Sequence, residues 1–214
     1  MKFTFKQLVY AFTVFALILL QCRMLRSDSL SYIFLVWNLF LAFIPWWISN
    51  YIKQRKELSL KHAPLLVMWL LFLPNAPYIL TDLFHLKPRP YLPLWFDLVL
   101  VLSFALIGMI LFLKSLKDML ALLKGYLSPT GFTIITPVIF WLISFGLYLG
   151  RYLRFNSWDI VHPVSLMKSC LRLFIHEQSL KEVGAFTLVF SAFLMMLFYI
   201  VHHQSTEEPG ISKQ

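Results

Sequence analysis

The side chains able to do chemistry are few in this chain, and they gather in two short strings. One is Thr81-Asp82-Leu83-Phe84-His85, and the other runs from Arg151 to Asp159. Asp82 and His85 are three residues apart, so they neighbour each other if the segment is helical. A carboxylate beside an imidazole can pass a proton, and Asp97 adds a second carboxylate, so the set could act as acid and base. Arg151 and Arg154 carry planar guanidinium forks that fit a phosphate or carboxylate on two oxygens at once. Asn75, Tyr78, Asn156 and Asp159 supply further polar contacts. Asp82, His85 and Asp97 are therefore the candidate catalytic residues. Asn75, Tyr78, Arg151, Arg154, Asn156 and Asp159 are the candidate substrate-binding ones. Two carboxylates and a histidine also have the donor types for a divalent ion. However, no HExxH, paired-aspartate, phosphate-loop or nucleophile-elbow spacing occurs, so no metal ligand and no cofactor is assigned. A purely structural reading competes: Asp82, Asp97 and Asp159 pair with Arg151 and Arg154 and fix helix ends.

The elements that must position these residues are apolar. The 214-residue chain is 59% hydrophobic, 17% aromatic and only 14% charged, too little charge to coat a soluble domain. A spanning helix takes about 20 apolar residues. Six runs qualify, near Phe3–Cys22, Leu30–Tyr51, Ala63–Thr81, Pro93–Leu113, Phe132–Gly150 and Val183–Val201. The expected fold is an all-α membrane bundle of about six transmembrane helices, forming a single polytopic domain over residues 1–214. The start resembles a lipoprotein leader, ending in Leu20-Gln21-Cys22. Gln21 is unsuited before a processed cysteine, and Arg23 and Arg26 follow at once, so an uncleaved first span is expected.

Six spans put both termini on one side. Over all segments Lys and Arg number ten on the side of the termini and nine on the other, which gives no bias; with the long Arg151–Glu182 segment set aside, as holding its own interfacial helix, the count is ten against four. The positive-inside tendency then places the termini in the cytoplasm of a cell-membrane protein. Whatever the absolute orientation, the end of span three, the start of span four and the end of span five lie at one face. The two polar strings and Asp97 therefore belong to one membrane boundary. The net charge of +9 reads as helix-end anchoring toward the bilayer. The basic residues are scattered and lack an aromatic-basic RNA motif, so no nucleic-acid partner is expected.

Three segments have special character. Pro74 and Pro77 sit in the outer half of span three. Each removes a backbone donor, so the helix should kink or unwind there, and freed carbonyls could line a cavity beside Asn75. Pro163–His176 has Ser165, Lys168, Ser169, Arg172 and His176 on one helical face, as in an interfacial amphipathic helix before the last span. Lys114–Leu127 has a similar look on the opposite side. Asn38, read as lying near the middle of span two, should face the bundle and bond another helix. Cys22 and Cys170 would share a face, which leaves a disulfide geometrically open, but two cysteines so far apart are expected to be unpaired and packed among apolar residues.

The strings NLFLAFIPW (Asn38–Trp46), LFLPNAPYILTDLFHL (Leu71–Leu86), WFD (Trp95–Asp97) and GRYLRFNSWD (Gly150–Asp159) carry a resemblance. They are similar to the bacterial integral membrane proteins grouped as domain of unknown function 1361. The resemblance covers roughly spans two to six and implies a bacterial envelope protein of about six helices. It implies no activity. The residues themselves leave three functions open. One is a membrane enzyme or headgroup-binding protein with an extracytoplasmic polar site for an anionic or lipid-linked envelope molecule. Another is a small-molecule or ion transporter, and the last is a non-catalytic scaffold in an envelope complex.

Overall fold

Inside lipid every backbone donor and acceptor must be satisfied within the protein, which leaves apolar runs of this length the choice of helix or closed barrel. Helix is what forms. The computed structural model describes residues 3–55, 59–88, 91–155, 157 and 177–204, and among them there are seven α-helices and no strand. They are α1 (Phe5–Ser27), α2 (Phe34–Arg55), α3 (Ala63–Phe72), α4 (Asn75–Thr81), α5 (Leu94–Leu123), α6 (Pro129–Tyr152) and α7 (Glu177–Gln204). A short 3-10 turn, Asp82–His85, follows α4. Six segments are long and apolar enough to cross a membrane: Phe5–Ser27, Phe34–Arg55, Ala63–His85, Leu94–Leu123, Pro129–Tyr152 and Leu180–His203. The protein is an all-helical, multi-pass membrane protein whose outer surface meets lipid.

Local sequence explains several boundaries. Thr4 starts α1 through a capping box, accepting from the Gln7 backbone N–H while the Gln7 side chain accepts from the Thr4 N–H. Ser128 starts α6 by accepting from the Gly131 N–H at 3.1 Å, with Pro129 in the first turn where no donor is lost. Span three is interrupted at Leu73 and Pro74, yet both residues keep right-handed helical angles. Two carbonyls at the interruption are taken. Leu73 O accepts from the Ala76 N–H at 3.2 Å, and Phe72 O accepts from the Asn75 side-chain amide at 2.9 Å. The Asn75 amide thus repairs the ladder where the prolines weaken it, and these two carbonyls do not open into a cavity.

The 30-residue α5 continues as one helix through Leu123, into most of the Lys114–Leu127 stretch whose look from sequence resembled an interfacial segment. No proline or glycine breaks residues 109–123, and Leu116, Met119 and Leu120 are buried. Apolar packing therefore extends the span beyond the point where Lys114 and Lys117 suggested an end. The Pro163–His176 segment lies outside the described residues.

The chain divides into two compact units, residues 1–115 and 116–214. In the first, α1 buries a single stripe, Val9, Ala16, Leu20 and Arg23. Aromatic rings hold α1 to α2, with Tyr10 stacked on Phe43 at 6.3 Å and edge-on to Trp46 at 6.4 Å. Both α3 and α4 pack on α2. A buried relay ties three helices together: Trp69 Nε1 of α3 donates to Ser115 Oγ of α5, which donates to the Pro45 carbonyl of α2, each at 2.9 Å. In the second unit α6 packs against α7, through Tyr148, Val183 and the surrounding Phe145, Leu149 and Phe186.

Candidate functional site

The polar side chains of the first unit meet where α1 ends, α2 begins, the α4 turn closes and α5 starts. Arg23 is carried there by the buried stripe of α1, three residues beyond Leu20. Asp97 stands in the first turn of α5, where the helix dipole favours a carboxylate. Arg23 Nε donates to Asp97 Oδ1 at 2.8 Å, and its Nη2 donates to Oδ2 at 3.3 Å. The pair is almost fully enclosed, with side chains 1% and 2% exposed. The third guanidinium nitrogen, Nη1, donates to Ser27 Oγ at 3.3 Å, and that hydroxyl donates to the Arg23 carbonyl at 2.8 Å.

Tyr32 closes one face of the arginine. Its ring lies 4.5 Å beneath the guanidinium carbon, a cation–π contact strengthened by desolvation. The Tyr32 hydroxyl donates to the His85 carbonyl at 3.3 Å. Tyr32 has a φ of 70°, left-handed backbone that a bulky residue rarely adopts. Strain of this kind persists only where the surroundings over-determine it, and the buried ring, the arginine and the hydroxyl bond do so. Beside this group the Asn38 amide donates to Asp82 Oδ2 at 2.9 Å, and the His85 ring meets Phe34 edge-on at 5.5 Å.

The structure thus brings Asp82, His85 and Asp97 to one end of the first unit, together with Arg23, Tyr32 and Asn38. Asn75 and Tyr78 lie one to two turns earlier, in α4, and the Tyr78 carbonyl accepts from the Thr81 hydroxyl at 2.7 Å. Arg151 is in the last turn of α6, and the exposed Arg154 follows that helix with a φ of 57°. Both belong to the second unit. Asn156 and Asp159 lie outside the described residues. Among the described residues no three His, Cys, Asp or Glu side chains converge as metal ligands would.

Two expectations change. The competing structural reading paired Asp97 with Arg151 and Arg154; within the first unit both of its oxygens accept from Arg23. The reason is that α1 runs to Ser27, past the apolar run that ends near Cys22, so Arg23 is part of the helix and not a loop charge. A signal for this was present, since Arg23 falls on the same helical stripe as Ala16 and Leu20. Asn38 does bond another helix, as expected of a buried amide, but it lies in the second turn of α2 and not at mid-span, because α2 begins at Phe34. Cys22 is an exposed free thiol, and Cys170 lies outside the described residues.

The family model described as Protein of unknown function (DUF1361) matches residues 37–197, most of the chain. The chain belongs to that family. No curated protein and no solved structure matches it.

Proposed function

We propose that this multi-pass membrane protein holds, at the extracytoplasmic headgroup level, a site for an anionic, phosphate-bearing envelope molecule, centred in the first unit on Arg23. The observation that carries the reading is the enclosed Arg23–Asp97 fork. Removing two charges from water is costly, and buried pairs add little stability compared with apolar residues of similar size. Ionisable groups within membrane-spanning segments accordingly mark functional sites more often than structural ones. An arginine that binds a carboxylate on two oxygens has the geometry to bind a phosphate in the same way. In this reading Asp97 occupies the fork in the resting state and the ligand's anion exchanges with it. Asp82 and His85, held beside the fork, are the candidate acid and base for any chemistry on that ligand. Arg151 and Arg154 are proposed as anion-binding residues of the second unit.

The test is a ligand-dependent shift of the unfolding midpoint of the purified full chain, since a ligand that binds only the folded state stabilises it by mass action. Inorganic phosphate is one probe, and nanodiscs of anionic against zwitterionic lipid are the other. The expected result is a stabilising shift in the wild type, a larger one in Asp97→Asn, and none in Arg23→Lys, which keeps the charge but loses the planar fork. Equal shifts in the wild type and in Arg23→Lys would remove the support for this site. Arg151→Lys and Arg154→Lys, measured the same way, test the second unit on their own.

A further inference from the structure

Serine and threonine within a helix have a default partner, the carbonyl one turn back. This chain uses it repeatedly: Thr13 donates to Val9 O at 2.9 Å, Ser103 to Val99 O at 2.7 Å, and Thr136 to Phe132 O at 2.8 Å. Two buried hydroxyls have neither this partner nor another. Ser144 of α6 and Thr187 of α7 are 0% and 1% exposed, and neither hydroxyl has a hydrogen-bond partner among the described residues. Burying such a group unpaired is unfavourable.

The register of the helix pair sets these two hydroxyls at one level. Tyr148 meets Phe186 at 5.5 Å and packs with Val183, while farther along Phe140 meets Phe198 at 5.8 Å. Residue numbers fall along α6 as they rise along α7, so the helices are antiparallel. Ser144 is one turn before Tyr148, and Thr187 is one turn after Val183. Both therefore lie on the facing stripes, in the layer between two aromatic contacts. Two hydroxyls in an otherwise apolar interface offer the polar partners that one small hydrogen-bonding molecule needs.

We propose that Ser144 and Thr187 form an internal hydration site of the second unit, in which one water bridges Ser144 Oγ to Thr187 Oγ1. Each hydroxyl can donate to the water or accept from it, so one molecule satisfies both groups. The site is separate from the Arg23 centre and does not depend on it.

The experiment is a double-mutant cycle on the full chain in detergent, joined to a water-edited NMR measurement at the Thr187 methyl. Ser144→Ala and Thr187→Val should each lower the unfolding midpoint, because each releases the water and leaves the remaining hydroxyl buried without a partner. The double variant should return toward the wild type, because the whole polar layer has gone. Thr187→Ser, which keeps the hydroxyl, should stay close to the wild type. A long-lived water contact should appear at the Thr187 methyl and vanish in Ser144→Ala. Additive effects in the cycle would overturn the proposal. So would coupling without the water contact, which would mean a direct bond between the two hydroxyls.

Discussion

Arg23 and Asp97 illustrate how a charged pair behaves once it is enclosed. Each satisfies the other, so removing one leaves the other buried without compensation. Asp97→Ala should lower stability by about 3–5 kcal/mol, seen as a reduced unfolding midpoint and lower abundance. Replacing both by apolar residues of similar size, as in Arg23→Met with Asp97→Leu, should recover most of that loss. The recovered variant should nevertheless fail to respond to phosphate if the fork is the binding group. A double variant as unstable as Asp97→Ala would show that the pair stabilises the fold outright. Asn38→Ala is the milder case. It removes one donor from the buried Asp82 and should cost about 1–3 kcal/mol.

At the scale of elements, the close approach of α4 and α5 is the sharpest constraint. A Cβ added at Gly108 would lie 2.5 Å from the Ala76 carbonyl oxygen and 3.1 Å from Ile79 Cδ1. Backbone cannot yield as a flexible side chain can, so the helices must separate. Gly108→Ala should cost about 1–3 kcal/mol by overpacking, against the usual gain in helix propensity. A Gly108→Ala variant that unfolds at or above the wild-type midpoint would contradict the close crossing. The Trp69–Ser115–Pro45 relay is a second tie among helices. Trp69→Phe keeps the ring but loses the donor, and should cost about 0.6–1 kcal/mol, the usual worth of a hydrogen bond between membrane helices. Asn75→Ala should be comparable, since it leaves the Phe72 carbonyl unpaired beside the proline break.

For the whole molecule, charge bias sets the expected orientation. The short-segment excess of Lys and Arg lies on the side of the termini, so that side should be cytoplasmic. In a chain freed of its two native cysteines, Ser128→Cys should be shielded from an impermeant thiol reagent applied to intact cells, and Pro90→Cys should react. Labelling of Ser128→Cys from outside would invert the topology and move the Arg23 centre to the cytoplasmic headgroups.

The sequence by itself determined the six spans, because length and apolar content alone decide what can cross a bilayer. It also determined that Asp82, His85 and Asp97 lie at one end of their helices, since chain direction alternates from span to span. The weak point in span three was legible from Pro74 and Pro77. Its repair was not, because the Asn75 amide bonds a carbonyl whose loss of partner depends on the angles at Leu73 and Pro74. The partner of Asp97 was decided only by the tertiary structure. Hydropathy ends α1 near Cys22, whereas packing carries it to Ser27 and turns Arg23 inward. The sequence names every charge, but which carboxylate an arginine meets depends on helix rotation and register. Those are set by the joint packing of Tyr10, Phe43, Trp46 and their neighbours, and no local pattern encodes them.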